Sequence, residues 1–190
     1  MRIVGGKHRG RPLKAPPGRS LRPTSDRTRE SLFNIIEHGL AEWDGELQDA
    51  AVIDAFAGTG ALGLEALSRG AAHATFIDSA GGAVGLCRAN AAALREPPNA
   101  TVLKLDATRI PPPPRAAQAP CGVVFLDPPY GENLAGPALA GLAAKGWIAD
   151  GALAVVEVAC DEIFDPPPGF KLLDERGYGA AKVVFLHRRA

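Results

Sequence analysis

A chain of 190 residues, 46% hydrophobic, is long enough for one α/β domain with a small extension. Its mean hydropathy of +0.01, with no run near ~18 apolar residues, argues against a helical membrane protein. The net charge of zero hides an asymmetry: residues 1–30 hold nine Lys/Arg against two acids, or +7, and residues 31–190 hold twelve against nineteen, or −7. That division fits a basic segment for a polyanion on an acidic body, the plainer alternative being a solvated terminus. Cys87, Cys121 and Cys160 are odd in number and far apart, and the four histidines do not cluster with them. A disulfide framework and a zinc site are therefore not expected, and a reducing cytoplasm fits. Residues 1–6 lack the apolar core of a secretory leader.

In chain order, residues 1–14 alternate loosely around Gly5-Gly6 and predict a short basic β-hairpin, followed by a Pro-Pro-Gly linker. Thr24-Ser25-Asp26 supplies an N-cap, and apolar residues at 32, 33, 35 and 36 predict a helix over 25–39. Arg22, Arg27 and Arg29 gather at its start, the unfavourable end of the helix dipole for a cation, so an external anion is their expected partner. Strands are predicted over 51–56, 74–78, 100–105, 123–126 and 152–158, with helices over 61–69, 82–94 and 134–144 between them. Pro111 to Pro114 predict a disordered or extended loop. Two closing strands, over 170–175 and 181–187, read as a hairpin. The fold class expected is α/β: a parallel, Rossmann-like sheet with helices on both faces and a C-terminal antiparallel hairpin, as in class I methyltransferases. The small N-terminal hairpin and helix are added to it. Residues 1–24 are expected to form the basic extension and residues 25–190 the main domain.

Two stretches carry chemistry. The first is Gly58-x-Gly60-x-x-Gly63, after a strand and before a helix, with Asp78 at the end of the next strand. Alone it fits a nicotinamide dehydrogenase as well as anything else. Asp54, however, precedes the glycines at the strand end, where it would repel a pyrophosphate yet could hold the cationic amino-acid part of S-adenosylmethionine (AdoMet). Asp106 ends the third strand, where it could accept from an adenine amino group. Acids at three successive strand ends suit a ligand with an ammonium, a sulfonium and a ribose diol.

The second stretch is Asp127-Pro128-Pro129-Tyr130, at the carboxyl end of the fourth strand, where open α/β sheets place their ligand crevice. Two prolines fix two φ angles near −65° and leave carbonyls with no competing N–H. A carboxylate, a rigid carbonyl and a flat ring suit the exocyclic amino group of a planar base. The ring face of Tyr130, rather than its hydroxyl, is the expected contact. A capped Pro-Pro turn explains the same residues without function.

The order Asp54-Ala-Phe56-Ala-Gly58-Thr-Gly60-Ala-Leu-Gly63, then Asp127-Pro-Pro-Tyr130, resembles AdoMet-dependent amino methyltransferases with a (D/N/S)PP(Y/F) motif. Arg2-Ile3-Val4-Gly5-Gly6 with Arg9-Gly10-Arg11-x-Leu13 resembles the RsmD family, as does Leu21-Arg22-Pro23-Thr24-x-Asp26-Arg27-x-Arg29-Glu30-x-Leu32-Phe33-Asn34. The resemblance covers nearly the whole chain. It implies methyl transfer from AdoMet to the N2 amino group of a guanine in 16S ribosomal RNA, within an assembling 30S subunit, by a cytoplasmic monomer without metal. It implies a cofactor site of Asp54, Phe56, Gly58, Gly60, Asp78 and Asp106, and a catalytic loop of Asp127, Pro128, Pro129 and Tyr130. With RNA as the polyanion, the basic segment and the helix start place the expected RNA contacts at Arg9, Arg11, Arg22, Arg27 and Arg29. The residues alone leave open an adenine-N6 methyltransferase acting on DNA or RNA, and a non-catalytic RNA-binding protein.

Overall fold

The computed structural model describes residues 1–16 and 25–189. Its centre is a seven-stranded sheet of order β3-β2-β1-β4-β5-β7-β6. The strands are β1 (Ala51–Ala55), β2 (His73–Asp78), β3 (Ala100–Lys104), β4 (Cys121–Leu126), β5 (Ile148–Ala159), β6 (Phe170–Tyr178) and β7 (Ala181–Arg188). The first five run parallel, and β7 and β6 close the sheet antiparallel. The helices are α1 (Asp26–His38), α2 (Ala61–Ser68), α3 (Gly81–Ala93) and α4 (Ala135–Ala144). The expected class I methyltransferase architecture is present, with β5 and β6 each several residues longer than predicted. β5 begins at Ile148, beyond Gly151, a residue whose φ of 79° no strand pattern signals.

The strand sequences alternate between two cores. Val52, Phe76, Val123, Phe125, Val155 and Phe185 point to one face, where they meet Leu32 and Phe33 of α1 and Leu64 and Leu67 of α2. Ile53, Ile77, Val124, Leu126, Val156 and Leu186 point to the other, with Leu139 and Leu142 of α4 and Trp147. This is the period of two that buries both faces of a strand. Trp147 donates its indole N–H to the Pro111 carbonyl at 2.7 Å, so the proline-rich stretch is an extended loop tied to the second core. No helix among the described residues is long and apolar enough to cross a membrane.

Residues 1–14 double back as predicted but do not form a two-stranded ladder. A single bridge pair, Arg2 with Pro12, and backbone bonds from Ile3 to the Arg11 carbonyl (2.9 Å), Gly10 to the Ile3 carbonyl (2.8 Å) and Leu13 to the Met1 carbonyl (3.2 Å) join the two limbs, and Gly6–His8 form a 3-10 turn between them. The reason lies in where the donors go. Pro12 has no N–H, and the N–H groups of Val4 and Gly5 leave the hairpin to bond the Glu65 carboxylate of α2, at 2.8 and 2.7 Å. Ile3 and Leu13 are buried in the same core as α1 and α2. Helix α1 is capped as predicted: the Ser25 hydroxyl accepts the Thr28 N–H at 3.0 Å.

Candidate functional site

The site is built at the carboxyl ends of the parallel strands. Strand order reverses between β1 and β4, so the loops after them diverge and leave a crevice at the switch point. The glycine turn follows β1 and the Asp-Pro-Pro-Tyr loop follows β4. Asp54, Asp78 and Asp106 end or follow β1, β2 and β3, which lie side by side, and Asp127 follows β4. The sheet thereby brings the four sequence-selected acids to one edge.

The glycine turn is held from several sides. Asp78 accepts the Gly58 N–H at 2.9 Å and the Ala80 N–H at 2.8 Å, leaving further lone pairs for a diol. The Cys87 thiol of α3 donates to the Gly58 carbonyl at 3.4 Å, and the Asn90 amide donates to the Thr59 carbonyl at 2.9 Å. Phe56 enters the turn at φ 62°, a left-handed conformation uncommon for an aromatic residue. A Cβ on Gly63 would stand 2.4 Å from the Phe76 ring, so only glycine lets α2 press this closely on β2. A Cβ on Gly58 would meet nothing nearer than the Phe56 carbonyl at 3.9 Å. The turn is therefore open on the crevice side, as a cradle for a ligand must be.

Asp54 differs from the expectation in what it touches. Its side chain points to the α2 face, is 2% exposed, and accepts the Gly63 N–H at 2.8 Å. Burial pushes its carboxyl up to about 7; the Gly63 bond opposes this and the nearby Asp78 charge adds to it. Asp54 thus anchors the start of α2 from beneath the turn. Asp106 instead lies at the edge, its side chain 41% exposed and paired with Arg109 at 3.3 Å. Bonds from the Thr108 hydroxyl at 2.6 Å and the Thr108 N–H at 2.9 Å hold its carboxyl below the usual carboxylate range.

In the second loop Pro128 is buried, while Pro129 and Tyr130 are exposed. Tyr130, 38% exposed, donates its hydroxyl to Glu157 of β5 at 2.6 Å. The hydroxyl, to which the sequence assigns no role, thus has a partner. Sequence reasoning misses Glu157, although it is the one acid in the apolar run Ala154-Val155-Val156-Glu157-Val158.

The arginines divide. Arg9, Arg11 and Arg27 are exposed, with Arg11 reaching the Ala93 carbonyl at 2.6 Å. Arg22 lies outside the described residues. Arg29 corrects the prediction of an RNA contact: its side chain is 0% exposed. It bonds the Arg2 carbonyl and Asp26 (2.8 Å) and pairs with Glu65 at 3.6 Å. An arginine at a helix start need not await an external anion when an acid from another helix reaches it. Around Glu65, Arg69 adds a second cation at 2.9 Å, and the Ser68 hydroxyl donates to the Gly5 carbonyl at 2.6 Å. Further on, Glu96 receives Lys7 at 2.8 Å and His8 at 2.6 Å. Burial would raise the Glu96 carboxyl, but bonds from Lys7, Asn99 and His8 outweigh it and hold it low. Asn90 bonds the backbone of Lys14 in both directions, at 2.8 and 3.0 Å, as well as the glycine turn. A polar residue on the same helix face as Val84, Cys87 and Ala91 is the available signal for it.

The model of the family described as "Conserved hypothetical protein 95" matches residues 1–187. Ribosomal RNA small subunit methyltransferase D of Escherichia coli is 42% identical over 159 residues, 83% of this chain and 74% of that protein. The chain belongs to the RsmD family. Consistent with that membership, the solved structure of yhhF from Escherichia coli superimposes with a TM-score of 0.81 at 36% identity, covering 100% of this chain and 98% of that one. Magnesium protoporphyrin IX methyltransferase from Synechocystis, solved with bound SAM, shares the fold: TM-score 0.60 at 17% identity, covering 85% of this chain and 78% of that one. The RsmD-family chain is thus a class I methyltransferase in architecture.

Proposed function

We propose that the protein transfers a methyl group from AdoMet to the N2 amino group of a guanine in 16S ribosomal RNA. The observation that carries this reading is the pairing of an open glycine turn and an Asp-Pro-Pro-Tyr loop across one switch point. The names of the relatives support the substrate class. AdoMet, when bound, supplies a methyl group already activated on a sulfonium. Asp78 and Asp106 offer carboxylates to the ribose diol and the adenine amino group. Gly58 leaves room for the amino-acid part, and Asp54 and Phe56 fix the turn around it. Asp127 and a proline carbonyl accept the two N–H groups of the base, so that its nitrogen lone pair faces the methyl group. With the reactants so placed, ~3–3.5 Å between reacting atoms is the geometry that positioning must achieve. The ring of Tyr130 stacks on the extruded base.

Residues 1–24 act as an RNA-contacting extension of the methyltransferase domain, and Arg9, Arg11 and Arg22 of that segment, together with Arg27 of α1, serve as phosphate contacts. The protein works as a cytoplasmic monomer on RNA within an assembling 30S subunit.

The test is methylation of naked 16S RNA, 30S assembly intermediates and DNA, with the product nucleoside mapped. N2-methylguanine in RNA supports the reading; N6-methyladenine, or tight NAD binding without AdoMet binding, overturns it. Asp127→Ala should keep AdoMet affinity and lose roughly 10²–10³-fold in single-turnover rate, about 2.7–4 kcal/mol, as for other single positioned polar groups.

A further inference from the structure

We propose that Glu157 is a positioning residue for methyl transfer, acting through Tyr130. The inference rests on the reading of Asp127 to Tyr130 as the base-holding loop. Glu157 sits in β5, which is hydrogen-bonded to β4 on one side and β7 on the other, so its backbone cannot shift without disturbing the sheet. It is 7% exposed in a run of five residues otherwise wholly apolar. A carboxylate there is costly to keep unless it is partnered, and the Tyr130 hydroxyl bonds it at 2.6 Å. That length is in the charge-assisted range for O–H···O⁻ bonds, the strong class.

The register locates the pair relative to the chemistry. Leu126 of β4 lies opposite Val156 of β5, so Asp127 and Glu157 are the next positions on two paired strands. Glu157 alternates onto the same sheet face as Val155 and Phe125, the face to which Asp54 also turns. Two consecutive prolines already restrict the backbone before Tyr130. The rotation of the ring about its own side-chain bonds is a separate freedom, which the prolines do not restrict. A strong bond at the ring's far end limits it and gives the 38% exposed flank of Tyr130 a preferred direction. A phenylalanine would supply the same surface without that tether. The bond therefore acts on orientation, and orientation matters most in the methyl-transfer step.

The test compares the parent with Tyr130→Phe, Glu157→Ala, Glu157→Gln and the Tyr130→Phe/Glu157→Ala pair, in single-turnover methylation of RNA at saturating AdoMet. Calorimetric AdoMet affinity, RNA affinity and Tm are measured alongside. Tyr130→Phe and Glu157→Ala should each slow the step by roughly tenfold, less than the ~10²-fold cost of a full 1 Å misplacement, with both affinities unchanged. Glu157→Gln keeps an acceptor for the hydroxyl and should recover most of the rate. The double variant should be no slower than the slower single one, because both remove the same bond. A Tyr130→Phe protein with the parental rate overturns the inference, whatever its Tm, and does so even if Glu157→Ala fails to fold. Rate losses that multiply in the double variant overturn it too. A parent that methylates no nucleic acid overturns the functional reading, and this inference with it.

Discussion

Two carboxylates of this protein, Asp54 and Glu65, are almost fully buried and lie close in sequence, yet they are used in opposite ways. Glu65, 0% exposed, accepts two backbone N–H groups and faces two guanidinium groups, those of Arg29 and Arg69. Asp54, 2% exposed, accepts the Gly63 N–H and faces another acid, Asp78, across the turn. The first charge is neutralised by the protein itself, and the result is a clasp that fixes residues 1–8 to α2. The second has no cation paired with it among the described residues, and it sits beside a turn that is open outward. A buried acid is thus kept as a paired charge where the chain supplies cations, and is pushed toward its protonated form where the chain supplies only a backbone N–H.

Removing one partner from the clasp is the harshest way to break this comparison. Glu65→Ala would remove one of the two carboxylates paired with buried Arg29, take from Arg69 its nearer acid, and leave the Val4 and Gly5 N–H groups without their acceptor. A loss of about 3–5 kcal/mol in denaturant unfolding is expected, as for other broken buried pairs. An unchanged midpoint would make the clasp a passive contact.

Asp54 sharpens the other side through pH. Its folded pKa of about 7 lies above its ordinary value of 3.8, so the folded chain binds the proton more tightly than the unfolded chain. The favourable contribution is complete below about pH 4 and disappears as pH rises through about 7, a span on the order of 4 kcal/mol. The stability difference between Asp54→Asn and the parent should therefore shift in favour of the variant across that window and level off above it. Chemical denaturation at closely spaced pH values would measure it. A difference independent of pH would show that Asp54 is ionised throughout.

How much of this is legible in the sequence follows from the range of each signal. The strands and the glycine turn are legible because period-two burial and a strand–glycine–helix sequence are local patterns. The four acids at one edge become legible once strand ends can be placed. Arg29 is misread because charges near a helix start carry no information on burial: of its two acids Asp26 is local, but Glu65, which meets it in the core, is 36 residues away in sequence. The Tyr130–Glu157 bond spans 27 residues and joins a loop to a strand whose polar residue has no local meaning. The hairpin at the N-terminus is half right: the limbs meet, but two of their donors are taken by a helix the hairpin pattern cannot include.

The smallest expected effect concerns the surface that the clasp holds in place. Neutralising Arg9 and Arg11 together should flatten the salt dependence of RNA binding by roughly one log–log unit for each phosphate left without its cation, with Tm within about 0.5 kcal/mol equivalent of the parent. An unchanged salt slope would return these residues to an ordinary solvated surface.

The clasp also sets an order of events in time. Residues 1–14 are made before their partners, which are Glu65 and Ser68, some 60 residues later, Asn90, 76 residues from Lys14, and Glu96, 88 residues from His8. Closing loops of that length is an entropic cost that only the finished contacts offset. The contacts of this basic stretch therefore cannot begin before α2 has been made, and cannot be complete before Glu96 has been made.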